Sequence, residues 1–253
     1  MGTRLRIDLI PPGLAQIHGA IVACDACPRL RAYCARIGGE KKKAHRDDVY
    51  WAKPVPGFGD PAASLLIVGL APAAHGANRT GRVFTGDGPG GSGDFLMAAL
   101  HRTGFANQST SHHRHDGLRL SGAYIAAAVR CAPPDNTPEP EEIDRCLGHL
   151  QAEVRELPHV RVVVALGGIA FQAWLVLMAR QGVRIRPKPV FGHGVVCRLG
   201  PDQPVLLGSY HPSRQNTNTG RLTAPMLEEV FRLARTILGT QKDGGTQRVS
   251  HRR

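Results

Sequence analysis

The sequence predicts an α/β protein, a three-layer α/β/α sandwich around a mainly parallel sheet. Three observations carry this. Apolar runs of strand length recur at 64–70, 122–129, 160–167 and 204–209. Each is followed by a stretch with helical spacing, and buried apolar strands alternating with helices argue for parallel pairing. Loops of unusual composition, at 69–91, 130–137 and 210–221, follow the strands on the side where such sheets bind ligands.

In chain order, residues 1–20 read as a lead-in without regular structure. Residues 20–63 carry a first cysteine group, the basic run KKKAHR at 41–46, and YWAKPVPGFGDP, whose Pro and Gly content reads as loop. SLLIVGL at 64–70 is a continuous apolar strand. GDFLMAALHRTGF at 93–105 sets Phe95, Leu96, Ala99 and Leu100 on one helical face. GAYIAAAV at 122–129 suits strand or helix by pattern, and its place before a loop favours strand. The next helix is expected to start at Thr137-Pro138, a cap and first-turn pair followed by acids near the positive helix end. VRVVVALG at 160–167 is a buried strand, and GIAFQAWLVLMARQG reads as helix. PVLLGSYHP at 204–212 is a strand ending in a loop. LTAPMLEEVFRLARTILG at 222–239 is an amphipathic helix with Gly239 as its stop, and the polar tail 240–253 is expected to be disordered. Residues 1–239 are expected to form one domain. SHHRHD at 111–116 reads as a solvated surface insertion rather than a metal site.

The chain has 253 residues, 42% of them hydrophobic, enough for a sizeable core. No apolar run approaches the roughly 18–20 residues of a membrane span. The N-terminal MGTRLRIDLIPPGL has no apolar signal core. No membrane association and a cytoplasmic location, nucleoid-associated in a bacterium, are therefore expected, with the protein a monomer. The net charge of +12, with arginines outnumbering lysines, favours a polyanionic partner such as nucleic acid.

Without a secretory signal, the six cysteines argue for metal or cluster binding rather than disulfides. Cys24 and Cys27 are spaced C-x2-C, and Cys131 and Cys146 form a second pair. Four thiolates suit a structural zinc or a [4Fe–4S] cluster. The second pair straddles a strand end and a helix, unlike a zinc ribbon with two knuckles, which favours the cluster. Cys34 and Cys197 read as small buried apolar residues.

Three loop residues have the chemistry of a site. His211, at a strand end, can donate to an anion or shuttle a proton, or cap an ordinary turn. Asp87 closes FTGD and can orient water or cap the next helix. Phe84 can stack on a base or belong to the core. Beyond His211, the polar segment offers small and planar donors suited to DNA phosphates and grooves.

GLAPAAHGANRTGRVFTGD at 69–87, VRCAPPDNTP at 129–138 and HPSRQN at 211–216, with the spaced cysteines, resemble the uracil-DNA glycosylase superfamily, specifically its family 5. The resemblance runs from about residue 20 to 235. It implies a central four-stranded parallel sheet and a [4Fe–4S] cluster on Cys24, Cys27, Cys131 and Cys146. It implies hydrolysis of the glycosidic bond of uracil in DNA, after the base has left the stack. By position, Phe84 would stack on the base in a pocket floored by Gly69 and Ala71. His211 would sit beside the base's O2. Asp87 would position water or stabilise the sugar cation, and Asn136 and Asn216 match residues implicated in activity. Ser213, Arg214 and Gln215 fall in the DNA-binding loop, whose 212–221 segment would enter the minor groove.

Ala71 occupies a position that is polar or acidic in other families of the superfamily, so water activation must move to Asp87 or Asn136. The smaller wall agrees with the wider substrate range the resemblance implies: hypoxanthine, xanthine and ethenocytosine. The extra glycines of DGPGGSGDF at 87–95 depart from the expected tight turn. No lysine lies in the three loops, so no Schiff base and no lyase step are expected. The rival reading is a non-catalytic iron–sulfur protein that binds DNA damage or senses redox state.

Overall fold

The computed structural model describes residues 10–243. Four parallel strands form the centre of one sheet: β2 (Leu65–Gly69), β3 (Ala123–Ala127), β4 (Val162–Leu166) and β6 (Val205–Ser209). Two short antiparallel strands, β1 (Phe58–Gly59) and β5 (Val196–Cys197), close the edges, so the sheet has six strands in the order β1-β3-β2-β4-β6-β5. They extend the expected four-stranded core without altering it.

Strand alternation divides the core. Leu65, Ile67, Ile125, Val164 and Leu207 face α4 (Ser92–Arg102) and α8 (Ala224–Asp243). Leu66, Val68, Ala126, Val163 and Leu206 face the other layer, with α1 (Pro12–Val22), α5 (Pro140–Arg155) and α6 (Gly168–Arg180). β3 settles the ambiguous GAYIAAAV run: every residue of Ala123–Ala127 is buried, as a strand covered on both faces requires.

Several expectations are corrected. The expected lead-in contains α1, which buries Leu14 and Ile21. Each such side chain contributes roughly 1.5–3 kcal/mol, enough to hold a helix too short to persist alone. The cysteine segment contains α2 (Pro28–Glu40), whose stripe of Leu30, Cys34 and Ile37 is visible only if Cys34 counts as apolar. α5 starts at Pro140, not Pro138, because Glu139 and Glu142 form a reciprocal capping box. α8 runs through Gly239 to Asp243, so residues 240–243 of the expected tail are helical. Buried Ile237 and Leu238 offset the roughly 1 kcal/mol cost of a mid-helix glycine. The rest of the tail, 244–253, lies outside the described residues. No helix among the described residues is long and apolar enough to cross a membrane.

Candidate active site

β3 lies on one side of β2 and β4 on the other, so the chain reverses direction across the sheet there. At the carboxyl ends of these strands lies a cavity of about 660 Å3. Its lining includes Ala71, His75, Phe84, Asp87, Asn136, His211, Ser213, Arg214 and Gln215. The three unusual loops therefore meet in one place.

Most donors of the loop after β2 hold the loop itself. Arg79 donates to the carbonyls of His75 (2.9 Å) and Gly86 (2.7 Å) and pairs with Asp48 (2.7 Å). Arg82, almost fully buried, bonds Thr85 Oγ1 (2.8 Å) and Asp116 (2.7 Å). Burial pushes the Asp116 carboxyl up, but Arg82 and the Leu118 and His112 N–H groups outweigh this and hold it well below the usual range. Asp116 thus anchors the histidine-rich insertion, whose residues 112–115 are exposed as expected.

The braced loop presents Phe84 and Asp87. Phe84 has φ +49, in the left-handed region that is costly for a bulky residue. Its ring stacks on His211 with centroids 5.8 Å apart and planes 29° apart. Gly69 makes room for it, since a Cβ there would sit 2.8 Å from the ring. Asp87 is held between Gly76 and Gly91, where any Cβ would collide with its side chain. Of the extra glycines, Gly91 thus makes room for Asp87 within the cavity wall. Burial raises its pKa, opposed by the Gly93 N–H and by the charges of Arg214 and Arg79, with Asp94 adding to the rise. The residue preceding α4 is Gly91, and it makes no side-chain cap.

Asn136 comes from a 3-10 turn, Pro134–Asn136, where Asp135 and Asn136 have φ +51 and +56. Among the described residues, three of the five non-glycine residues with positive φ therefore line the cavity. Burial pulls the His211 pKa down to about 4, so its imidazole is neutral at pH 7. The polar segment after it contains α7 (Arg214–Asn218), capped by Ser213, which accepts the Asn216 N–H. The Asn216 amide donates to the His211 carbonyl (2.8 Å) and lies outside the cavity lining. Arg214 donates to the Asp87 carbonyl (3.0 Å), clasping two loops together.

The titratable lining residues that sequence reasoning missed are His75, Asp135, Lys42 and His45. His75 Nδ1 is 3.0 Å from Tyr50 Oη. Lys42 and His45 arrive from the KKKAHR run, so a lysine does reach the cavity, though from none of the three loops. The signal was visible as a charge run, but nothing local fixes its distance from residue 87.

All six cysteines are free thiols. Cys27, Cys34, Cys131 and Cys146 share a buried cluster with Leu30, Val129 and Ala132, while Cys24 is half-buried outside it. Among the described residues no group of three or more His, Cys, Asp or Glu side chains is arranged to hold a metal ion. Burial pushes Cys146 up to about 12. Cys131 is also raised, first by its hydrogen bond with Cys34 and then by burial. Cys34 is fully buried, as expected, and is also a neighbour of Cys131. Cys197 is buried with the α1–α5–α6 side of the core. Arg31 faces Cys131, Arg145 faces Cys27 and Arg130 faces Cys146. Arg31 Nη1 and Arg130 Nε and Nη1 are buried without a hydrogen-bond partner.

Residues 56–235 match the family model described as the uracil DNA glycosylase superfamily. The chain is 50% identical over 229 residues to a protein of Mycobacterium tuberculosis named type-5 uracil-DNA glycosylase, covering 90% of this chain and 83% of that one. A Thermus thermophilus protein of the same name is 51% identical over 219 residues, covering 87% and 95%. One from Pyrobaculum aerophilum is 41% identical over 219 residues, covering 87% and 91%. A pocket at the sheet's switch point, built from the loops after β2, β3 and β6, thus coincides with extended sequence identity, and the chain belongs to the uracil-DNA glycosylase superfamily, in its type-5 branch.

Proposed function

We propose that the protein removes uracil from DNA by hydrolysing the N-glycosidic bond, leaving an abasic site for base excision repair. The convergence of Phe84, Asp87, Asn136 and His211 in one cavity, in a chain of this family, carries the reading. The cavity lies beyond the reach of a stacked base, so the nucleotide turns out of the duplex first. That costs a few kcal/mol, least at a mispaired uracil. Phe84 stacks on the base. As the C1′–N1 bond breaks, its electron pair moves onto the base, and charge builds on O2. Neutral His211 donates a hydrogen bond there without surrendering a full proton, a preorganised stabilisation of the leaving group. Asp87, ionised, orients a water and takes its proton as oxygen bonds to C1′, with Asn136 of the same cavity lining helping to hold that water. Asn216 acts through His211 as a positioning residue. Ser213 and Gln215 meet the DNA backbone.

Ala71 leaves one wall small and apolar, and we extend the substrate range to hypoxanthine, xanthine and ethenocytosine on that ground. The partner is double-stranded DNA and the enzyme acts as a monomer, in the cytoplasm with its DNA. Incubation with a uracil duplex followed by alkali tests the reading. Strand breaks at uracil are expected. An intact strand, or a protein–DNA complex that survives detergent, contradicts it.

The same proposal includes a [4Fe–4S] cluster on Cys24, Cys27, Cys131 and Cys146. The donor set fits: three of the four thiols are buried, and Arg31 and Arg130, which face Cys131 and Cys146, keep buried N–H groups without a partner, as suits an anionic thiolate-bound group. When bound, it would cross-link the α2 segment to the loop after β3 and to α5. Anaerobically purified protein should be brown and contain iron and acid-labile sulfide. Colourless protein with zinc would refute this part alone.

A further inference from the structure

We propose that the basic run 41–46 forms a phosphate-binding site on the cavity rim, taking the DNA backbone phosphate next to the nucleotide that enters the pocket. The proposal rests on the DNA reading above and adds a site that reading lacks. After α2 ends at Glu40, Lys41 adopts φ +52, a conformation rare and strained without glycine. Lys41 Nζ donates to the Arg46 carbonyl (3.0 Å), closing the turn. This bend brings Lys42 and His45 to the cavity that also contains Asp87 and His211.

Asp87 and Asp135 line the same cavity but form no ion pair with the run among the described residues, and the carboxylates next to it in sequence are mostly committed elsewhere. Glu40 is paired with Arg36 (2.9 Å), and Asp48 with Arg79 (2.7 Å), with His45 at 3.4 Å. Asp47, next to the run, is exposed and is the one nearby carboxylate in the sequence without an ion pair among the described residues. Lys42 and Lys43 are exposed, and neither makes an ion pair among the described residues. Arg214, also in the cavity lining, donates to the carbonyls of Asp87 (3.0 Å) and Pro89 (3.5 Å), so its guanidinium is partly engaged. Among the described residues that line the cavity, the cation without a hydrogen-bond or ion-pair partner is therefore Lys42. A nucleotide turned into the pocket brings its flanking phosphates to that mouth, and a lysine there meets one as a point charge.

The test is binding to a duplex containing a stable abasic-site analogue, followed by fluorescence anisotropy across a salt series. Lys42→Ala/Lys43→Ala should reduce the slope of log K against log salt by about one to two and weaken binding about tenfold at moderate salt. Lys188→Ala, an exposed lysine outside the cavity, should leave the slope unchanged. A methylphosphonate beside the lesion should weaken the wild type about tenfold and the double variant less than about twofold. An unchanged slope, or equal methylphosphonate losses in both proteins, overturns the proposal. So does a borohydride-trapped adduct on uracil DNA that Lys42→Ala abolishes, because Lys42 would then form a Schiff base. Should the wild type release no uracil while the slope still changes, the phosphate site stands and the glycosylase reading fails.

Discussion

Asp87 depends on two residues that have no side chain. Gly76 and Gly91 leave the space its carboxylate fills, so Gly76→Ala should displace the carboxylate while the strands and helices keep their fold. Single-turnover uracil release should fall about a hundredfold, within the range for removing a proton-transfer group. A rate within about twofold of wild type would mean Asp87 does not act from this position. The pH profile separates the two titratable groups. Asp87 must be ionised, and burial raises its pKa, so the rate should climb with pH along an acid limb above the ordinary Asp value of 3.8. His211 must be neutral, and with a pKa of about 4 it already is near pH 6. Asp87→Asn should remove the Asp87 limb and leave only the rise through about pH 4 that loss of the His211 proton imposes, and His211→Ala should lower the rate and keep the Asp87 limb. At this scale the sequence was most legible: the loops carrying Phe84, Asp87, Asn136 and His211 could be marked from composition and motif. The glycines' purpose was not, because a steric gap exists only once Asp87 and Gly76 are brought together.

At the scale of elements, the α5 start shows how one side chain joins two segments. Glu142 bonds the Glu139 N–H (2.8 Å) and takes a two-point grip from Arg29 of α2 (2.9 and 2.7 Å). Burial pushes its carboxyl up, but Arg29 and the Glu139 N–H outweigh that, and its pKa is lowered from 4.5. The stabilisation is therefore complete above pH 4.5 and is lost as pH falls through the lower folded value. Glu142→Ala should cost about 1 kcal/mol for the cap, a fall of roughly 2–4 °C in Tm. The loss should be measurable at pH 7 and shrink as the pH drops below 4. An unchanged Tm at pH 7 would leave the capping box without effect. Thr137-Pro138 misled the sequence reading because it too has the composition of a helix start, and only the reciprocal Glu139–Glu142 bonds decide between the two. α1 and α2 were missed for a related reason: their helicity comes from burial against the rest of the chain, not from local pattern.

For the whole molecule, the parallel pairing of the four central strands follows from alternating apolar runs and helices, their order β3-β2-β4-β6 is settled only by the assembled sheet, and the cavity follows from the reversal of direction at β2. The edge strands β1 and β5, two residues each, leave no periodic trace in the sequence. The position of the 41–46 run on the cavity rim is also a property of the assembled fold. The net charge of +12 gains a local meaning there, as part of the binding surface for a polyanion. The measurement that bears most directly on this account is release of free base from a duplex with a single uracil, with enzyme in excess. Wild-type protein should liberate uracil and leave an equal amount of abasic site, and Asp87→Asn and His211→Ala should each slow that release at least about a hundredfold. No free uracil from the wild type, or release at the wild-type rate by both variants, would contradict the account.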